Sequence, residues 1–353
     1  MTDPYDEAAA DQLQVSLEAS VRHAHQARRP ILTHLNADTS WLLSIPRSDQ
    51  PSVPGKRARY NLLIDPWLRG PQEDVAGWFS KQWHAVESSV ESIHSLEALL
   101  QAAESLEDES TSISENAGKS SYIDAIVISH EFTDHCHKAT LHEVDPHVPV
   151  FASGKAARLI RSWDHFSIVI EMPMFNVGQD WRTTSTPPLP DWLGISRIVT
   201  NSDALYYHSA VLICMSDPES TAGAAEAVIY TPHGLAAATV VTINSAVSPI
   251  APLALLHGLH DVSIAWGTQL NLGAINAIKA QQLINAKFWI GTHDEDKHKS
   301  GFIAPLLRRK ILTVPEAFTQ VQAYQSAAAD SNAALADAPI YVELGNGESL
   351  MLT

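Results

Sequence analysis

The N-terminal part of the chain has the apolar spacing of a helix. Residues 6–28 contain no proline or glycine, and their apolar side chains recur at mixed three- and four-residue intervals, which predicts a helix. After Pro30 the pattern changes to short apolar runs, which predict strands at 31–35, 40–45 and 59–64. Residues 1–30 are therefore interpreted as an N-terminal helical extension.

Strands and helices alternate through the rest of the chain. Further strands are predicted at 122–129, 148–152, 166–170, 195–201, 206–215, 227–230 and 287–291, and further helices at 85–103, 154–163, 270–285 and 315–328. The segment YVELGNGESLML predicts a closing hairpin around Asn346-Gly347. This alternation is typical of the α/β class, and we predict a single domain over residues 31–353.

Residues 104–121, ESLEDESTSISENAGKSS, are acidic, rich in serine and poor in apolar side chains. Such a composition predicts an exposed loop. An interdomain linker would have a similar composition. We favour an insertion within the domain, because a buried strand follows immediately and the alternation then continues.

Composition limits the partners and the location. Hydrophobic residues make up 45% of the 353, enough for a large core. The formal charge of -17 repels phosphate backbones, which argues against nucleic acid as a partner. We expect a cytoplasmic protein without membrane association, because no apolar run approaches the ~20 residues of a membrane span and the acidic start does not resemble a signal peptide.

The sequence lacks several common catalytic patterns. The two cysteines, Cys136 and Cys214, are too few for a disulfide framework and do not form a CxxC pattern. No GxSxG, GxxxxGK[ST] or helix-opening GxGxxG segment is present. Serine hydrolase, P-loop and dinucleotide-binding functions therefore have no positive support.

Histidines and an aspartate follow several apolar runs. The segment SHEFTDHCHKATL comes directly after Ala125-Ile126-Val127-Ile128, and further histidines stand beside later strands. Loops at strand ends converge on a point that the sheet holds rigidly, and imidazoles with a carboxylate but no thiol are typical ligands of Zn²⁺ or a similar cation. The alternative is that these side chains only cap strand ends and bond to loop backbone.

The chain resembles a known family at these residues. SHEFTDH resembles a degenerate form of the HxHxDH signature of the metallo-β-lactamase superfamily, and LIDPWLRG resembles the preceding strand in its ascorbate-6-phosphate-lactonase-like branch. The resemblance covers residues 31–353 and implies an αβ/βα sandwich, in which two mixed sheets pack face to face with helices outside. The sequence is also similar to fungal proteins that share SHxFTDHCHK, for which no reaction is established.

The resemblance implies a role for each matching residue. Asp65 would support the site from beneath the ligands. The metal ligands would be His130, Asp134, His135, His208 and His293, the last of which begins the segment HDEDK.

Two departures from the family change the expected site. Phe132 stands where the family has its second histidine, and His233 stands where it has a bridging aspartate. A phenyl ring cannot ligate a cation, so the first metal position keeps only His130 and His208. The second keeps Asp134, His135 and His293 and gains His233, so one zinc ion is expected, with iron or manganese as alternatives.

The implied function is hydrolysis of a small ester or amide, with a lactone as the expected substrate. Asp134 would orient the attacking water, and His130 or His208 would donate a proton to the leaving group. Phe132 and Trp67 are expected to contact the substrate. His137 either donates a hydrogen bond that supports a ligand of the site or marks the start of the helix KATLHEV.

Two other functions remain open. A non-hydrolytic metalloenzyme with redox or rearrangement chemistry would be distinguished by iron or manganese in place of zinc. A non-catalytic binding protein with a degenerate site would contain no metal, and Phe132 is the feature that favours it. The expected partner is a small-molecule substrate, and a homodimer is the default assembly to test, because homodimers are common among folds of this size.

Overall fold

The computed structural model describes residues 4–48, 57–107, 121–200, 207–216, 223–265, 267–328 and 340–353. The helices are α1 Pro4–Ala27, α2 Ile93–Glu107, α3 Lys138–Leu141, α4 Gly154–Arg161, α5 Val241–Asn244, α6 Ala274–Ile284 and α7 Val314–Ala328. The strands are β1 Ile31–His34, β2 Trp41–Pro46, β3 Arg59–Ile64, β4 Gln72–Asp74, β5 Ser80–Trp83, β6 Ala125–Ile128, β7 Val150–Ala152, β8 Val169–Glu171, β9 Leu193–Val199, β10 Ser209–Ser216, β11 Ala225–Thr231, β12 Ile250–His257, β13 Asp261–Ile264, β14 Thr268–Asn271, β15 Phe288–Ile290, β16 His298–Ser300, β17 Leu307–Lys310, β18 Tyr341–Val342 and β19 Ser349–Met351. Among these residues, no helix combines the length and the apolar character needed to cross a membrane.

The chain divides into two compact units. The first consists of Met1–Met172, Glu295–Gly301 and Leu344–Thr353, and the second of Pro173–Asp294 and Phe302–Glu343. That residues 31–353 form one domain stays a prediction.

The first unit is built on a mixed sheet of seven described strands, in the order β19-β1-β2-β3-β6-β7-β8. The strands from β19 to β3 pair antiparallel, and those from β3 to β8 pair parallel. Every residue of β3 and β6 is buried, as expected for parallel strands covered on both faces.

Helices bury their apolar sides against this sheet. Leu96 and Leu100 of α2 belong to the same core cluster as Ile126 and Ile128 of β6. Leu17 of α1 belongs to a second cluster, so the N-terminal helix packs into the first unit. Each fully buried leucine or isoleucine side chain contributes about 1.5–3 kcal/mol, and these contacts hold β6 rigidly beneath the loop that follows it.

The second unit contains a mixed sheet of six described strands, in the order β18-β15-β12-β11-β10-β9. The neighbours from β18 to β11 run parallel, whereas β10 pairs antiparallel with both β11 and β9. A core cluster that includes Leu212, Ile229 and Leu255 holds the middle strands together.

The α/β class is confirmed, because the strands of two mixed sheets alternate with helices along the chain. The predicted positions of α1, β3, β11 and α7 agree with the structure to within about three residues, as does the buried strand near residue 288. These segments have a long amphipathic period or an uninterrupted apolar run, which are the patterns that local sequence determines most strongly.

The prediction of a closing hairpin at the end of the chain is wrong. β18 pairs in parallel with β15, and β19 pairs antiparallel with β1, so the two strands belong to different sheets. Asn346-Gly347 still forms a turn, and Gly347 has a φ of 84°. The turn chemistry was identified correctly, but strand partners are chosen by distant parts of the chain.

Two further segments differ from what their sequence pattern suggests. In LALLHGLHDV, His257 and His260 have the spacing of one helix face, yet His257 ends strand β12 and His260 lies in the loop that follows. The predicted loop 104–121 begins too early, because α2 continues to Glu107. Of the rest of that prediction, residues 108–120 lie outside the described residues.

Candidate functional site

In the first unit, the ends of two adjacent parallel strands place polar side chains together. Asp65 follows β3, and the segment from Ser129 to His135 follows β6, which pairs with β3 in parallel register. Asp65 has a φ of 42°, a left-handed conformation that aspartate tolerates better than most residues. The carboxylate accepts hydrogen bonds from the backbone N–H of Ser129 at 2.7 Å and from the Ser129 hydroxyl.

Asp65 also fixes the ring of His135. Oδ2 of Asp65 accepts a hydrogen bond from Nδ1 of His135 at 2.7 Å, and neither side chain has any exposed surface. A neutral imidazole that donates through Nδ1 presents the lone pair of Nε2, the arrangement found around metal-bound histidines. Burial lowers the pKa of His135, but the carboxylates of Asp134 and Asp65 outweigh it, and the net pKa is raised.

The two oxygens of Asp134 have different neighbours. Oδ1 lies 3.7 Å from Nε2 of His135, whereas Oδ2 accepts a hydrogen bond from Nζ of Lys297 at 2.9 Å. The same ammonium lies 2.6 Å from Oδ2 of Asp38, a fully buried side chain in the turn between β1 and β2. Burial lowers the pKa of Lys297, but Asp134 and Asp38 reverse this and the net pKa is raised, so the side chain is a cation at neutral pH.

The backbone around Lys297 is anchored on both sides. Two residues earlier, the buried Glu295 accepts hydrogen bonds from Nδ1 of His84 and the N–H groups of Ala85 and Val86, at 2.7, 2.7 and 3.1 Å. Immediately afterwards, β16 pairs antiparallel with β5. The Lys297 ammonium also lies 5.3 Å from the centre of the Trp67 ring, within the range of a cation–π contact.

The remaining predicted residues of the first unit have varied surroundings. His130 is buried, and its ring centre lies 5.9 Å from that of Phe132 and 5.4 Å from that of His135. His137 is the N-cap of α3, where its side chain accepts a hydrogen bond from the N–H of Thr140, so its position matches the alternative of a helix start. Trp67 is fully buried against His84 and Lys297, and a substrate contact for it stays a prediction.

The second unit has its own group of histidines at an edge of its sheet. His233 follows β11 and His293 follows β15, and both strands run parallel to β12 between them. Their ring centres are 5.0 Å apart, and one nitrogen of each lies within 4.8 Å of the other. Nδ1 of His233 lies 2.9 Å from Oδ1 of Asn271, an acceptor that orients Nε2 of His233 for a ligand in the same way as Asp65 orients His135.

His293 has a φ of 60°, which is unusual for a residue with a Cβ atom. Strained backbone of this kind persists only where the surrounding structure enforces it, and it occurs frequently in functional sites. His208 is half-buried and directly precedes β10, whose start lies beside the end of β11: the Thr231 hydroxyl donates a hydrogen bond to the Ser209 carbonyl at 2.9 Å.

Sequence reasoning missed Asp38, Asn271 and Lys297. Asp38 lies in LNADTS, a polar turn between two apolar runs, and Lys297 ends the segment HDEDK. Polar residues of this kind are normally solvated, and nothing local indicates that Asp38 and Lys297 are buried. Lys297 reaches Asp134 only because residues 295–301 belong to the first unit.

No family model matches the sequence, and no curated protein matches it either. Several solved structures match the fold of this chain. The isothiocyanate hydrolase from Delia radicum gut bacteria superposes with a TM-score of 0.53 at 14% identity, covering 92% of this chain and 99% of that one. A possible metal-dependent hydrolase from Veillonella parvula DSM 2008 gives 0.51 at 11% identity, covering 92% and 100%. The metallo-β-lactamase fold protein YhfI from Bacillus subtilis gives 0.47 at 10% identity, covering 91% and 99%.

The protein has the same fold as the isothiocyanate hydrolase and the possible metal-dependent hydrolase. The resemblance of the SHEFTDH segment to the metallo-β-lactamase superfamily, with its lactonase-like branch, stays a prediction. At 10–14% identity the likeness to these three structures concerns the fold alone.

The donor atoms within each unit are compatible with a metal ligand set. Tetrahedral Zn²⁺ with bonds of about 2.0–2.1 Å places its ligand atoms about 3.3 Å apart. Oδ1 of Asp134 and Nε2 of His135, at 3.7 Å, are close to that spacing. The ion pair with Lys297 involves Oδ2 of Asp134, so Oδ1 keeps its position beside His135.

Proposed function

We propose that this protein is a metal-dependent hydrolase of a small ester or amide, with a lactone as the expected substrate. The observation that carries the proposal is the pairing of His135 with Asp65 at 2.7 Å. A fully buried carboxylate that holds a histidine with Nε2 directed away from it is typical of metal centres. His233 has an equivalent support in Asn271, within its own unit.

The proposed ligands are Asp134 through Oδ1 and His135 through Nε2, together with His233 and His293, which the sequence resemblance assigns to the same set. Zinc held by such ligands lowers the pKa of water from about 15.7 to about 7 and polarises a carbonyl group. A single ion is proposed, because Phe132 provides no lone pair for a ligand at the position of the missing histidine.

The protein's own side chains would supply the remaining steps. Asp134 directs the attacking water toward the carbonyl carbon. His130, which is buried 5.4 Å from the ring of His135, donates a proton from Nε2 to the leaving oxygen or nitrogen, a role that His208 could also fill. The phenyl ring of Phe132, in contact with His130, excludes water from the leaving-group side.

The first experiment is elemental analysis of the full chain, purified without chelator or added metal. About one zinc per chain is expected. His135→Ala and His233→Ala should each lower the metal content, whereas His147→Ala, which removes an exposed histidine, should not. Full metal content in His135→Ala would contradict the ligand assignment.

Activity is tested next on a panel of lactones, linear esters, amides and one isothiocyanate, the last because a structurally similar protein hydrolyses that class. Hydrolysis that requires zinc and is lost in Asp134→Asn supports the proposal. Iron or manganese in place of zinc, with no hydrolysis of the panel, would favour a non-hydrolytic metalloenzyme.

A non-catalytic binding protein is the second candidate. Phe132 and the ion pair between Lys297 and Asp134 favour it, because each reduces the donors available to cations. A chain that binds no zinc, even when dialysed against it, would support this candidate over the hydrolase.

A further inference from the structure

We propose that Lys297 is a built-in cation that occupies the carboxylates of Asp38 and Asp134 in place of a second metal ion, and thereby limits the protein to one. This inference deepens the proposed function and rests on it for the first ion. Nothing in the sequence motif assigns Lys297 to the site.

The charge balance of the first unit supports the proposal. The Asp38 side chain has no exposed surface and that of Asp134 is 11% exposed, and a carboxylate oxygen of each lies within 4.8 Å of the other. Two carboxylates this close and this buried require a cation, because burial penalises each charge and the like charges repel. The Lys297 ammonium contacts both, at 2.6 and 2.9 Å.

The position of the ammonium is fixed by its surroundings. The side chain of Lys297 is only 6% exposed. Glu295 holds the backbone on one side through three hydrogen bonds, and the pairing of β16 with β5 holds it on the other. The ammonium is therefore a permanent part of the site, unlike that of a surface lysine, whose flexible side chain would yield readily to a competing divalent cation.

The two oxygens of Asp134 can then serve different purposes. Oδ2 is committed to Lys297, and Oδ1 remains beside Nε2 of His135. One ion can use Oδ1, whereas a second ion that needed Oδ2 and Asp38 would have to displace the ammonium. Lys297 thus acts as a positioning residue through Asp134.

The test is a count of bound metal. Chelator-treated full-length protein is dialysed against increasing Co²⁺, and the bound metal per chain is measured at saturation for the wild type, Lys297→Met and Lys297→Arg. Lys297→Met keeps the apolar stem and removes the charge, so it should bind about one Co²⁺ more than the wild type. Lys297→Arg keeps the charge and should match the wild type.

A matched control shows where the additional ion binds. Lys297→Met/Asp38→Asn removes a carboxylate as well as the lysine, and its stoichiometry should return to the wild-type value. If Lys297→Met does not fold, as judged by circular dichroism, Lys297→Gln replaces it, because its amide still donates hydrogen bonds to the carboxylates.

The outcomes separate this inference from the proposed function. A folded Lys297 variant without charge that binds no more Co²⁺ than the wild type overturns the inference and leaves the hydrolase proposal intact. A wild type that already binds two ions overturns both the inference and the single-ion part of the proposed function. A wild type that binds none, with one ion gained in Lys297→Met, overturns the hydrolase proposal and supports Lys297 as the cation of the site.

Discussion

Nδ1 of His135 lies 2.7 Å from Oδ2 of Asp65, and both side chains are fully buried. Asp65 comes from the end of β3 and His135 from the loop after β6. The hydrogen bond therefore links two adjacent parallel strands and sets the direction of one nitrogen. Its loss should affect metal binding more than the fold, which many apolar contacts of β3 and β6 maintain.

Asp65→Asn should reduce zinc affinity about 10–100-fold. One amide oxygen cannot replace both carboxylate oxygens, which accept from His135 and from the backbone and hydroxyl of Ser129. Asparagine tolerates the left-handed backbone at this position, so the change isolates the lost acceptor. Affinity is measured by competition with a chromophoric chelator, and Asn244→Ala, at an exposed position in the second unit, serves as the control. An unchanged affinity would remove Asp65 from the site.

His293→Gly should be more stable than His293→Ala by about 1 kcal/mol. The backbone at His293 has a φ of 60°, where a Cβ atom is strained and glycine is not. Urea unfolding of the two metal-free variants measures the difference. At His147, where φ is not positive, His147→Gly should be less stable than His147→Ala. If the glycine variant were the more stable one at both positions, the backbone explanation would be wrong.

Glu295→Ala should lower the free energy of unfolding by about 2–4 kcal/mol, because it leaves the buried donors of His84, Ala85 and Val86 without their acceptor. Glu295→Gln keeps one acceptor oxygen and should cost less. Denaturant unfolding of both variants checks the order. If Glu295→Ala did not change the free energy of unfolding, the anchoring of Lys297 would have to come from β16 alone.

Asp74→Asn should stabilise the metal-free protein at neutral pH. Burial, and then the charge of Asp134, raises the pKa of Asp74 above its ordinary value of 3.8. A raised carboxyl pKa contributes stability that is fully present below the unfolded value and lost as pH rises through the folded one. The advantage of asparagine should therefore shrink as the pH falls toward 4 and be largest near 7.

Unfolding free energies of the wild type and Asp74→Asn across this pH range provide the measurement. The exposed Asp191→Asn is the control and should change stability little at any pH. An advantage of Asp74→Asn that is constant with pH would show that the carboxyl charge is not its cause.

The sequence predicted those features of the fold that local patterns determine. The amphipathic period of α1 and the apolar runs of β3 and β6 place these elements without reference to the rest of the chain. β12 was missed as a strand because LALLHGLH is compatible with both helical and extended periods. The partners of β18 and β19 depend on contacts with distant strands, which local turn chemistry does not specify.

In the candidate site, too, local sequence patterns identified some residues and missed others. Histidines after apolar runs were identifiable because strand ends are marked in the sequence, and His130, His135, His233 and His293 all lie at such ends. Asp38 and Lys297 were not identifiable from the sequence. Lys297 lies 163 positions after Asp134 in the chain, and only the tertiary structure brings the two side chains together and buries them. Roles within the site need the partner of each atom, which the sequence does not specify.

The pairing of β1 with β19 has a consequence for biosynthesis. The hydroxyls of Thr33 and Ser349 lie 2.8 Å apart although 316 positions separate them in the chain. On the ribosome, β1 is translated long before its neighbour, so one edge of the nascent sheet remains open until β19 emerges. At synthesis rates of about 5–20 residues per second this interval lasts tens of seconds, during which the unpaired edge would be a binding site for chaperones.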